Sequence, residues 1–257
     1  MLAQVMFAVQ LLESLRRAQH VMVLTGAGVS AESGVPTFRD RMTGLWEHYD
    51  PGDLATPEGF NRDPSLVWGW YEWRRVTVQR AQPNAAHRAI AEMAGRLPQL
   101  TLVTQNVDDL HERAGSPGVV HLHGQIGRPY CENCRQPYPV PGAGPAPPQS
   151  GARLDPPRCP ACGGRIRPGV VWFGESLPQE PWRAAVEAAR TCEVFFCIGT
   201  SAVVQPAASL IDLAQRSGAV TVQVNPSPTE VDRAVSYALR GKAGEILPGL
   251  LRQAFGG

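Results

Sequence analysis

Residues 21–40, VMVLTGAGVSAESGVPTFRD, most narrow what this chain can fold into. Their apolar start, Val21-Met22-Val23-Leu24, is too short for a helix of its own and runs into glycines. Such a run reads as a strand buried on both faces of a parallel sheet. Gly26, Gly28 and Ala31 follow at G-x-G-x-x-A spacing, the turn that lets backbone approach a pyrophosphate at a helix N-terminus. On its own this spacing is a weak signal. The usual dinucleotide pattern also needs a helix, a second strand and an acidic residue about 20 positions on. Here the chain breaks at Gly34-Val35-Pro36 and enters Thr37-Phe38-Arg39-Asp40. The stretch predicts a nucleotide site that leaves the common pattern just after its turn.

The rest of the chain supplies what such a turn needs around it. Residues 4–17 put Val5, Val9, Leu12 and Leu15 on one face of an amphipathic helix. Short apolar runs of buried-strand type recur at 100–104, 119–122, 194–198 and 220–224. They end in Gln105-Asn106-Val107-Asp108, His123-Gly124, Gly199-Thr200-Ser201 and Asn225-Pro226 respectively. Helices are expected from Pro83-Asn84-Ala85-Ala86-His87 to Arg96, at 182–190, at about 207–217 and within 241–255. Residues 41–83 read as short helices around Trp46, Leu54, Phe60 and the cluster Trp68-Gly-Trp70-Tyr71-Glu-Trp73. In open α/β sheets, ligands bind beyond the carboxyl ends of the strands. One site built from residues 26–39, 105–108, 199–201 and 225 is the economical reading.

The expected fold class is α/β: a Rossmann-like parallel sheet domain with a smaller domain made of a zinc-ribbon module and a helical module. The sheet domain is expected to take residues 1–40, 84–123 and 174–257. The helical module then spans 41–83 and the zinc module 124–173. A chain of 257 residues is long enough for this pairing. The net charge of +1 argues for neither nucleic acid nor an acidic membrane surface. No run of 18 apolar residues suggests a membrane span. Residues 1–19 lack the basic start and small-residue cleavage site of a signal peptide. A soluble, cytoplasmic, monomeric protein is the expectation.

Cys131, Cys134, Cys159 and Cys162 form C-x2-C … C-x2-C. Four thiolates in two knuckles suit tetrahedral zinc with no open position, which is a structural site. A redox dithiol is the rival for one pair, and a second pair beside it weighs against that reading. The Pro- and Gly-rich segment between the knuckles explains their wide separation. Cys192 and Cys197 read as ordinary core thiols. His121 and His123, two apart in a strand-like stretch, would share a face and could together hold a metal. A lone histidine is more often a structural hydrogen-bonding group than a base. Gln105-Asn106-Val107-Asp108 could equally be a plain polar turn.

GAGVSAESGVPTFRD resembles the cofactor-binding segment of the sirtuins, the NAD-dependent protein lysine deacylases. TQNVD, HLHG, the cysteine knuckles, VWFGE, GTS and VNP follow in that family's order, so the resemblance covers nearly the whole chain. It implies NAD as co-substrate, one structural Zn2+ and acyl-lysine side chains of proteins as substrate. Implied NAD contacts are Gly26, Ala27, Gly28, Ser30, Glu32, Ser33, Pro36 and Thr37, with Phe38 shielding the reactive centre and Arg39 orienting it. Gln105, Asn106, Val107 and Asp108 would line the nicotinamide pocket, Asn106 and Asp108 positioning the leaving amide and a water. Gly199, Thr200, Ser201 and Asn225 resemble the loops on the ribose and adenine side, and the resemblance implies that Ala243 is near the adenine. His123 matches the family's catalytic histidine and His121 does not. As general base on a ribose hydroxyl, His123 needs a neutral imidazole near pH 7. The implied reaction has the acyl oxygen attack C1′ of the ribose as nicotinamide leaves, giving lysine and O-acyl-ADP-ribose. Val171, Phe173, Gly174 and Glu175 fall in VWFGE, which resembles the family's segment that pairs with the substrate peptide as an added strand. Main-chain pairing of that kind depends weakly on peptide sequence.

Tyr71 and Arg74, at i, i+3 in an expected helix, share a face. Their neighbourhood, WGWYEWRR, resembles class III sirtuins, in which a Tyr-x-x-Arg pair reads the terminal carboxylate of succinyl, malonyl or glutaryl groups. A guanidinium fork and a phenol suit that ligand. Ala55, within a DPGDLATP segment that also resembles this class, is small enough to leave room for a longer acyl group. The alternatives are a plain deacetylase in which Tyr71 and Arg74 are idle, a protein ADP-ribosyltransferase, or a catalytically idle binding module.

Overall fold

A computed structural model describes residues 6–37, 54–140 and 152–256. Phe38, Arg39, Trp46 and much of the Pro/Gly-rich loop between the knuckles lie outside the described residues. In chain order the first elements are helix α1 (Val9–Arg17), strand β1 (His20–Thr25), α2 (Gly28–Ala31), α3 (Pro57–Arg62), α4 (Pro64–Arg80) and α5 (Ala85–Arg96). Next come β2 (Gln99–Thr104), α6 (Leu110–Arg113), β3 (Val120–His121), β4 (Tyr130–Cys131) and β5 (Ile166–Arg167). The last third holds α7 (Gln179–Thr191), β6 (Val194–Ile198), α8 (Ser209–Arg216), β7 (Val220–Asn225), β8 (Tyr237–Arg240) and α9 (Ala243–Phe255).

Six strands form one sheet in the order β3-β2-β1-β6-β7-β8, and every pairing in it is parallel. The order runs outward from β1 in one direction and from β6 in the other, so the topological switch point lies between them. Register makes that point usable. Thr25 pairs with both Thr104 and Ile198, so Gly26, Gln105 and Gly199 leave the sheet side by side.

The continuous apolar run of β1 follows from burial on both faces. Val21 and Val23 enter a core with Leu11, Leu15, Ile90, Met93, Leu247 and Leu250 from α1, α5 and α9. Met22 and Leu24 point the other way, onto Ala185, Ala189, Leu210 and Ile211 of α7 and α8. Each such side chain contributes about 1.5–3 kcal/mol of burial. Among the described residues, no helix is long and apolar enough to cross a membrane.

Several local expectations change. Helix α1 begins at Val9, and Val9 is exposed rather than on the apolar face. Phe7 enters the core from the preceding extended segment, its N–H donating to Gln253 Oε1 at 3.3 Å. The aromatic cluster rides on one 17-residue helix, α4, instead of short helices. Asp63 caps it by accepting from Leu66 N at 3.1 Å, and Pro64 opens its first turn. Leu66, Val67, Trp68, Trp70 and Tyr71 are all buried. A helix apolar on several sides shows little periodicity. One side meets residues 152–154, where a Cβ on Gly69 would lie 2.0 Å from the Ala152 carbonyl oxygen. Strand β8, helix α6 and the β4–β5 hairpin were not expected from the residues.

Candidate active site

The cleft begins at the switch point. Gly26 N donates to Ile198 O at 3.0 Å and Gly28 N to Gly199 O at 2.8 Å. A Cβ on Gly28 would lie 2.7 Å from that same oxygen, and Gly199 sits at φ +61°, where a side chain is strained. Glycine at both positions is what lets the two strand ends meet. Thr200 O accepts from Gln223 Nε2 at 3.1 Å and from Asn225 Nδ2 at 3.0 Å, while Thr200 Oγ1 accepts from Gln105 Nε2 at 3.3 Å. Segments from four strands are thereby laced together.

Behind this cleft lies a buried polar cluster. Ser30 Oγ donates to Asp108 Oδ2 at 2.9 Å and accepts from Asn106 Nδ2 at 3.1 Å. Leu110 N donates to the other Asp108 oxygen at 3.2 Å. Burial raises the Asp108 pKa, with the bonds from Ser30 and Leu110 N pulling it back.

Two histidines missed by the sequence reading support the cluster from beneath. His87 Nδ1 accepts from Asn84 N at 3.3 Å, so Nε2 carries the proton and faces Ser30 Oγ at 3.5 Å. His111, its ring 4.8 Å from that of His87, donates from Nε2 to Thr25 Oγ1 at 3.0 Å. Thr25 passes its own proton to Thr104 Oγ1 at 2.8 Å. Burial pushes His87 down to about 4 and His111 to about 3, so both are neutral at ordinary pH. The available signal was Asn84, three residues before His87, which reads as a capping box.

His123 Nδ1 donates to the Gln105 carbonyl oxygen at 3.0 Å, which leaves Nε2 with its lone pair. Burial lowers the His123 pKa below its ordinary value, and the Gln105 carbonyl acts the other way. His121 is tied elsewhere, through Nδ1 to Asn106 O at 3.2 Å and Nε2 to Glu112 Oε1 at 2.7 Å.

Beside His123 runs the VWFGE segment. Val171 N donates to His123 O and Phe173 N to Ala55 O, both at 2.9 Å. Glu175 accepts from Trp172 N at 2.8 Å and from Arg167 at 2.6 and 2.9 Å. The Glu175 carboxylate thus latches its own loop, while Phe173 and Gly174 stay exposed. Tyr71 Oη accepts from Trp172 Nε1 at 3.0 Å, and burial raises the phenol pKa above its ordinary value. The half-buried Arg74 guanidinium lies 5.1 Å from the Trp70 ring centroid. No ion pair to a carboxylate is found for it among the described residues, although burial disfavours its charge.

Other residues expected at the cofactor have partners within the chain. The exposed Glu32 accepts from Gly244 N at 3.0 Å in the first turn of α9, where Ala243 is buried. Ser33 Oγ accepts from Asn84 Nδ2 at 3.0 Å. Ala27, Pro36, Thr37, Val107 and Ser201 are half-buried along the same loops.

The four cysteines come together away from this cleft. All four Sγ atoms lie within 4.8 Å of one another, with Cys131–Cys162 at 3.4 Å and Cys134–Cys159 at 3.7 Å. A tetrahedral ion with sulfur at about 2.3 Å sets the sulfurs about 3.8 Å apart, so the cluster fits zinc. Cys192 and Cys197 are buried in the sheet's core, where desolvation pushes their thiols up to about 11 and about 12.

A parallel sheet with a glycine-lined cleft at its switch point, an adjoining histidine and a four-cysteine module define a dinucleotide-binding α/β protein with a structural zinc site. The Sir2 family model matches residues 26–206, more than half of the chain, and the chain belongs to that family. It is 58% identical over 246 residues to an NAD-dependent protein deacylase of Methylococcus capsulatus, covering 96% of each chain. A solved Sir2 homologue in complex with NAD is 45% identical, with a TM-score of 0.87 over 97% of this chain and 94% of that one. A Sir2–p53 peptide–NAD+ structure is 29% identical, with a TM-score of 0.80 over 96% of this chain and 98% of that one. The cleft fits the dinucleotide by its glycine-lined backbone and by the buried Ser30–Asn106–Asp108 cluster, which can meet an amide.

Proposed function

We propose that this chain is an NAD-dependent protein lysine deacylase that removes succinyl and malonyl groups as well as acetyl. The observation that carries the reading is the hydrogen bond from His123 to Gln105 O, which leaves Nε2 unprotonated beside the Asn106–Asp108 loop. NAD, when bound, would supply the ribose carbon to which the acyl group is transferred. His123 Nε2 would take up a proton from a ribose hydroxyl. Asn106 and Asp108, held by Ser30, orient the leaving amide and a water. The cofactor and the acyl-lysine meet in the cleft between the sheet domain and the smaller domain. The peptide lies along residues 171–174 as an added strand.

Arg74 supports the extension to acidic acyl groups. A half-buried guanidinium that forms no ion pair among the described residues, and whose charge the Asp108 carboxylate favours from a distance, is suited to a ligand that brings a carboxylate into contact. Tyr71, on the same helical face, adds a hydroxyl, and Ala55 leaves space in the same aromatic cluster.

The test compares two identical lysine peptides, one acetylated and one succinylated, with and without NAD, by mass spectrometry. NAD-dependent loss of both groups, with a succinyl-to-acetyl ratio that collapses in Arg74→Met, is expected. Loss of acetyl alone would remove the carboxylate reading. No NAD-dependent loss of either group would remove the enzyme reading.

A further inference from the structure

We infer that Trp172 determines acyl specificity by fixing the direction in which the Tyr71 hydroxyl proton points. The inference rests on the reading of Tyr71 and Arg74 as the acyl-carboxylate site. An indole N–H can only donate. In the 3.0 Å contact between Trp172 Nε1 and Tyr71 Oη, the phenol oxygen must therefore be the acceptor. The Tyr71 proton then has to point away from Trp172. Burial keeps that proton in place by raising the phenol pKa. Arg74, one turn along the same face, offers only N–H groups. On that reading the Tyr71 hydroxyl and the Arg74 guanidinium both donate, so the pair selects an acyl chain that ends in an acceptor.

The indole cannot easily turn away. Trp172 is only 3% exposed, and its own N–H of the main chain is held by Glu175. Arg167 covers the ring at 3.7 Å from its centroid, and Phe60 lies 5.3 Å away. Arg167 is itself fixed by its two bonds to Glu175 and one to Val170 O at 3.2 Å. It sits in β5, where its neighbour Ile166 pairs with Cys131. The cysteine-bearing strand pair thereby braces Trp172 through Arg167.

The experiment replaces Trp172 with 3-benzothienylalanine, which keeps the ring shape and puts sulfur where the N–H was. Trp172→Phe serves as a second variant lacking the donor. Succinyl-to-acetyl ratios of kcat/KM are measured in both Tyr71 and Tyr71→Phe backgrounds. With Tyr71 present the ratio should fall about 3- to 10-fold, the worth of one hydrogen bond, through KM for the succinyl peptide. With Tyr71→Phe it should not fall further. An unchanged ratio with Tyr71 present, or an equal fall with Tyr71→Phe, overturns the inference. Arg74→Met is run alongside. If it lowers the ratio while the Trp172 variants do not, only the role of Trp172 fails; if it does not, the carboxylate reading itself fails.

Discussion

A 3.0 Å hydrogen bond joins His123 Nδ1 to the main-chain oxygen of Gln105. It sets the tautomer of the ring, and burial holds the pKa below its ordinary value. In its proposed role as base, His123 is active when neutral. The acid limb of kcat/KM should therefore have an apparent pKa below about 6.5, with activity lost as pH falls through it and retained above. His123→Ala should lower kcat by about 10²- to 10⁴-fold while NAD binding, read by calorimetry, persists.

His87 and His111 make a separate statement about stability. Their folded pKa values, about 4 and about 3, lie below those of the unfolded chain. The unfolded state thus binds more protons as pH drops. Stability from keeping these rings neutral is fully present above about pH 6.5 and is lost towards the folded values, by at most about 1.4 kcal/mol per pH unit for each ring. Thermal unfolding between pH 7 and 4 should show Tm falling steadily. His87→Gln, which removes one titrating ring, should flatten the slope.

Gly199 holds a left-handed conformation, and a Cβ there would lie 2.4 Å from Val29 N. Gly199→Ala should cost more than about 1 kcal/mol in denaturant unfolding. It should also weaken NAD affinity, because the strain falls where β1 and β6 end together. Gly127→Ala, with nothing within 4 Å of the added carbon, is the control.

One zinc per chain should be found by elemental analysis. Cys159→Ser should lose it and lower Tm, since the thiolates close a hairpin that has little other core: Trp68, Ile166 and the buried Cys131 and Cys159. Prolonged chelation should act likewise. Because Arg167 and Glu175 tie this hairpin to the VWFGE loop, deacylation should fall with zinc content rather than after global unfolding.

Much of the site was legible because its signals are local. Buried parallel strands need unbroken apolar runs, a tight turn needs Gly26 and Gly28, and a zinc site needs Cys-x-x-Cys twice. What stayed hidden depends on distant partners. Strand β8 alternates half-buried and exposed residues and pairs only at the sheet's edge, so its sequence carries no strong pattern. His87 and His111 gain their meaning from Ser30 and Thr25, 57 and 86 residues away.

By itself, the sequence determined the strand ends, the glycine turn, the cysteine knuckles and the residue types gathered at the cleft, because short-range geometry and burial demand them. Only the tertiary structure decided how those groups are protonated and aimed. The His123 tautomer depends on a carbonyl 18 residues away. The Tyr71 hydroxyl depends on an indole 101 residues away. Hydrogen-bond direction is a property of pairs, and pairing across such separations exists only once the chain has folded.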